Sequence, residues 1–278
     1  MDDPESYRLH TVTLDLLHIV DMSIEFLLET KFLVWVMILS RLSGLFSFAP
    51  FLGGTFIPTT VRVLIVVVSS WLMMPYVNTV IYLSTPIGVI VWMIFINFTI
   101  GMAIGLLATI FFDAVQLAGQ IYGYQIGFSV ANVLDPESDQ QIPLLGQLMY
   151  LMAAYLFVVA NGPGILLNAL TTSLNMIPVN TLFLGTAFVP TFWTEVGTIF
   201  SVGMQIGFPI IAFMIVVTLV LGIMSKVMPQ LNIFMVGLPL NILVGLIMFA
   251  VLIPVWFTIF GNMIGEISSK ISILLSEM

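Results

Sequence analysis

Cysteine is absent from all 278 residues, and histidine occurs only at positions 10 and 18. The first absence excludes disulfides, thiolate metal sites and thiol nucleophiles. The second confines any serine–histidine or metal–histidine constellation to the N-terminal end. There is no HExxH motif and no pair of aspartates within an apolar run. We therefore expect no enzyme, and assign no catalytic residue, cofactor or metal. Charge is equally scarce, at 7% of residues against about 25% in soluble proteins. With 60% hydrophobic residues, a water-facing globule would lack the polar groups to cover its surface. The net charge of −8 argues against nucleic acid as a partner. Six basic residues give the positive-inside rule little to count, so topology stays open. The opening Asp2, Asp3 and Glu5 is acidic where a basic n-region would stand, so no cleavable signal peptide is expected.

What is present is a succession of apolar runs. Residues 11–29 place Asp15, His18, Asp21, Glu25 and Glu29 on an arc of roughly 120°, the pattern of an amphipathic helix within residues 1–31. Residues 32–50 carry Arg41 in mid-run, where an arginine in hydrocarbon costs about 2.5–3.5 kcal/mol unless it pairs, snorkels or faces protein. Pro50, Gly53, Gly54 and Pro58 mark a turn before a second run, residues 61–82, that starts beside Arg62. Both arginines are read as structural charges. Residues 87–112 hold no charge and are long enough to cross a hydrocarbon core of about 30 Å. Their Gly101-xxx-Gly105 pair is read as helix packing.

Asp113, Gln116 and Gln120 then recur at helical spacing, followed by Gly119, Gly123 and Gly127 on nearly the same side. Lipid would leave this side's polar groups without partners, so it should meet another subunit or an aqueous passage. Asp135-Pro136 closes the segment as a turn signal within a wet loop. Further apolar runs cover residues 144–160, 201–224 and 233–260. A loop or re-entrant stretch is expected at 179–195, a kink near Pro209, and two half-helices where Pro239, Asn241 and Pro254 interrupt 233–260. Residues 261–278 place Ile264, Ile267, Ile271 and Leu274 on one side and suit an interfacial amphipathic helix. One domain, residues 1–278, is the economical reading. The fold class is an all-α membrane protein of broken and kinked helices packed as helical hairpins. Its amides and prolines within apolar runs call for support from other polypeptides.

Four motifs, in order, resemble the FliR family of flagellar export gates and its virulence type III secretion relatives. They are Arg41, Pro50, Gly53, Pro58 and Arg62; the stretch AGQIYGYQIGFSVANVLDP at 118–136, followed by Pro143; Asn161-Gly162 with Ser173 and Ile177-Pro178; and Pro229-Gln230-Leu231-Asn232 with Gly237-Leu238-Pro239. Many relatives carry a histidine pair where this chain has Pro163 and Gly164. The resemblance implies a subunit of a hetero-oligomeric gate in the bacterial inner membrane, at the flagellar basal body. Its expected partners are FliP-like and FliQ-like membrane subunits, an FlhB-like export protein, unfolded protein substrates and membrane lipid. Residues 126–142 correspond to the family's plug, with Gly127, Phe128, Val130, Val133, Leu134, Asp135 and Pro136 as its sealing residues. Without the motifs, an ion or small-molecule secondary transporter using Arg41 and Asp113 is the alternative.

Overall fold

The computed structural model describes residues 31–50, 52–53, 57–77, 79, 81–82, 84–127, 144–228 and 233–278. The amphipathic segment expected within 1–31 lies outside them, apart from Lys31. Among the described residues every regular element is helical. In chain order these are α1 (Lys31–Phe48), α2 (Thr59–Met73), α3 (Ile87–Ile126), α4 (Leu144–Val159), α5 (Gly162–Met176), α6 (Phe188–Val227) and α7 (Ile233–Ser276). A single 3-10 turn, Met74–Tyr76, follows α2 at Pro75, where the missing N–H is tolerated. Five helices are long and apolar enough to cross a membrane, or six counting the bent pair α4 and α5 as one span.

Helix α3 is the central element, packing against α4, α5, α6 and α7. Its contact with α1 is backbone to backbone. A Cβ on Gly101 would overlap the Arg41 carbonyl, one on Gly44 would overlap that of Phe98, and one on Gly105 would come within 2.9 Å of Ala49 N. The Ser40 hydroxyl donates to Ile94 O at 2.7 Å, and Thr109 donates to Phe48 O, closing the same seam at both ends. The small-residue pair in 101–105 therefore serves packing, as read from the sequence.

Helices α4 and α5 meet at 65°. Asn161 makes the bend with φ 57 and ψ 35, the left-handed region that asparagine tolerates and β-branched residues do not. Phe157 fills the space where Gly162 would carry a side chain, and the Asn161 amide lies where a Cβ on Gly164 would sit. We predict that Asn161→Gly leaves the thermal midpoint of the detergent-solubilised protein nearly unchanged. Asn161→Val should cost about 1–3 kcal/mol, read as a midpoint several degrees lower; equal midpoints for the two would remove the strain argument.

The structure departs from the sequence reading in three places. Residues 233–260 form no pair of half-helices, because α7 runs unbroken through Pro239 and Pro254. A proline removes its own donor and crowds the carbonyl four residues before it; both lie on exposed flanks, and around Pro254 the buried Phe249, Leu252, Trp256 and Phe260 hold the helix in place. The irregular stretch ends earlier than expected, since α6 begins at Phe188. Pro190 sits in its first turn, where the helix needs no donor. Residues 261–276 continue α7, and their apolar side, Ile264, Ile267, Ile271 and Leu274, is buried by this chain instead of lying on a membrane surface.

Candidate functional site

Arg41 is fully buried at the meeting point of α1, α3 and the end of α5. Its Nε and Nη2 donate to Asn97 Oδ1 at 3.0 and 2.8 Å. Its Nη1 donates to Ser173 O at 2.8 Å, Ser173 Oγ at 3.3 Å and Ile177 O at 3.1 Å, and Nη2 also reaches Ile177 O at 3.1 Å. Asn97 in turn donates Nδ2 to Met93 O and Val179 O, both at 2.8 Å. All of Arg41's partners are neutral oxygens. The charge is met by the carbonyl end of α5, where the unpaired C=O groups and the helix dipole favour a cation. One side chain thus ties three helices and the connection after α5 together. Every nitrogen of the guanidinium is engaged within this chain.

Arg62 is half-buried near the start of α2, with Nη2 3.5 Å from Ile57 O. Along α3, Asp113 is exposed and Gln116 and Gln120 are half-buried. Gly119 and Gly123 are not open to a partner subunit or a passage. They are buried under α4, and a Cβ on Gly119 would stand 2.6 Å from Gly146 Cα. The reason is steric, since Gly119 and Gly146 face each other and let the two backbones touch. What remains outward is a narrower strip, Asp113, Gln116, Gln120 and the exposed Tyr124. Gly127 ends α3 with φ 101 and donates its N–H to Tyr124 O at 3.1 Å, a left-handed cap that glycine adopts without strain. Phe128, Val130, Val133, Leu134, Asp135 and Pro136 lie outside the described residues.

Several positioning contacts had no sequence signal. The Tyr122 hydroxyl donates to Gly245 O, its ring stacks on Phe249 at 5.6 Å, and Phe249 meets Trp256 at 4.8 Å. Trp256 Nε1 donates to Ile206 O at 3.3 Å, which joins α7 to α6. Lys270 on α7 pairs with Glu195 on α6 at 2.6 Å. An aromatic cluster in an apolar run reads only as hydrophobic, and the register that brings its members together is a property of the packed helices.

Comparison with known proteins supplies the family. The profile described as "Bacterial export proteins, family 1" matches residues 32–267. The chain is 30% identical over 244 residues to the flagellar biosynthetic protein FliR of Escherichia coli (strain K12), covering 86% of this chain and 92% of that protein. It is 37% identical over 172 residues to the protein of that name from Bacillus subtilis (strain 168), covering 59% of this chain and 64% of the relative. With that of Aquifex aeolicus (strain VF5) it shares 29% over 220 residues, 76% of this chain and 81% of the relative.

Proposed function

The chain belongs to family 1 of the bacterial export proteins, and from that membership we propose that it is a subunit of the flagellar type III protein export gate. It is a membrane protein of flagellar biosynthesis and export. In this reading it forms part of the channel through which unfolded proteins cross the inner membrane at the basal body. FliP-like and FliQ-like membrane subunits and an FlhB-like export protein surround it, and it makes and breaks no bonds.

The observation that carries the reading is the outward strip on α3. Among the described residues Asp113 is exposed and Gln116 and Gln120 are half-buried along one flank of this helix, and the strip runs down to the Gly127 cap, after which residues 128–143 follow. Hydrocarbon would give those groups no partners, which supports a flank turned to another subunit or to the passage. Residues 126–142 are proposed to help seal that passage. Gly127, Phe128, Val130, Val133 and Leu134 would narrow it, and Asp135 and Pro136 would turn the chain toward water. A secondary transporter would need Arg41 free to bind substrate or a coupling ion, whereas its nitrogens are already engaged.

Coexpression with the neighbouring export subunits, purification by a tag on this chain and a mass measurement should yield a discrete hetero-oligomer. Solute transport by the chain alone in liposomes would overturn the gate reading. Deleting residues 130–134 should raise the ion conductance of the assembled complex in planar bilayers. Unchanged conductance would remove the sealing role while leaving the assembly intact.

A further inference from the structure

Between α3, α6 and α7 lies a half-open slot of about 260 Å³ whose two ends differ in chemistry. One end carries Glu195, Glu266 and Lys270; beyond it Ile110, Val202, Ile259 and Met263 form an apolar wall, with Gln205 also lining the slot. Lys270 and Glu195 form an ion pair and both remain partly exposed, while Glu266 is exposed and carries no ion pair with another described residue. The two carboxylates and one ammonium give the mouth a net charge of −1. Trp193, two residues before Glu195 on α6, is exposed. Indoles of this kind favour the membrane–water boundary.

We propose that this slot binds a zwitterionic amino-phospholipid, with its headgroup at the charged mouth and part of one acyl chain along the apolar wall. The lipid phosphate meets Lys270 and the lipid ammonium meets Glu266, so both charges of the headgroup find an opposite one. An anionic headgroup would satisfy Lys270 but face two carboxylates, which excludes phosphatidylglycerol as the preferred occupant. The volume corresponds to roughly nine water molecules, enough for a segment of one chain and too little for both. The second chain lies outside, among the lipids around α6 and α7. The inference does not depend on the gate reading, because it concerns the slot between α3, α6 and α7 and is read on the chain with whatever subunits copurify.

The test uses phosphatidylethanolamine bearing a diazirine in the distal half of one acyl chain. It is mixed into vesicles of phosphatidylethanolamine and phosphatidylglycerol that hold the coexpressed complex, and adducts are mapped by mass spectrometry after illumination. Adducts should concentrate at Val202, Ile259 and Met263, and unlabelled phosphatidylethanolamine should compete better than phosphatidylglycerol. Glu266→Gln should lower labelling about tenfold, the loss of one charge-assisted contact, with the mass of the complex unchanged. Lys270→Gln should do the same; because it also breaks the pair with Glu195, Glu266→Gln decides if the Lys270 variant fails to assemble. Labelling spread evenly over the exposed apolar residues, equal competition by phosphatidylglycerol, indifference to Glu266→Gln, or a slot filled by a neighbouring helix and unlabelled would each overturn the proposal.

Discussion

Replacing Arg41 with alanine should cost the folded chain about 3–5 kcal/mol, enough to remove most of the monodisperse protein recovered in mild detergent. Asn97 Oδ1, Ser173 O and Ile177 O all receive their hydrogen bonds from this guanidinium, at 2.8–3.1 Å. Truncation leaves Asn97 Oδ1 and Ile177 O buried without donors, at about 1–3 kcal/mol for each such group before relaxation, while Ser173 O keeps the Ile177 N–H at 2.9 Å. It also detaches the carbonyl end of α5 from α1 and α3. Lysine is no substitute, because a single ammonium cannot reach the Asn97 amide and the Ile177 carbonyl as a planar fork does. Arg41→Lys should therefore fall between the wild type and Arg41→Ala. Pairing Arg41→Met with Asn97→Leu should cost less than the two single changes added, since both act on one network. Size-exclusion profiles and thermal midpoints of the four proteins decide this. A wild-type profile for Arg41→Ala would refute the structural account of the residue.

The second large effect is expected at Gly101. A leucine there must place its Cβ onto the Arg41 carbonyl, and Gly44 and Gly105 leave no room for α1 to move along the seam. Overpacking usually costs about 1–3 kcal/mol when side chains can shift. Here the obstructing atoms are main chain on both sides, so Gly101→Leu should exceed that range and displace α1 from α3. Gly222→Ala is the control, because nothing lies within 4 Å of its added methyl group. It should be neutral or raise the midpoint slightly, as alanine favours the helix by about 0.5–1 kcal/mol. If the two substitutions behaved alike, close approach of α1 and α3 would not be what selects glycine at 101.

What could be read from the sequence was what depends on local composition. The charge-free run at 87–112, the chain reversal that begins at Pro50, the Asn161-Gly162 break and the need of Arg41 for partners all follow from nearby residues. The identity of those partners did not. Arg41 reaches Ser173 and Ile177 across 132 and 136 positions, and half of its acceptors are backbone carbonyls, which every residue possesses. The prolines of α7 misled for a related reason. Their local cost is real, but long-range packing of Trp256 and Phe260 exceeds it. At Gly119 and Gly123 the smooth face was visible and its occupant was not, since a glycine stripe fits a sister helix of the same chain as well as a foreign one.

The register of the long helices bears on how the protein meets a bilayer. Gly203 lies on Ala114 and Gly207 on Ala118, so α6 runs beside α3 at a constant offset. The uncharged stretch of α3 ends at residue 112, and that of α6, which follows Glu195, starts only a turn or so before that level. Tyr122 against Gly245 and Phe111 against Phe260 set the greasy part of α7 level with that of α6, whereas α1 lies level with the first half of α3. The oily belt is thus built in two storeys, and 40 residues of α3 measure about 60 Å, twice the thickness of a hydrocarbon slab. A flat sheet of lipid can immerse one storey. The other stays wetted until a collar of protein encloses it.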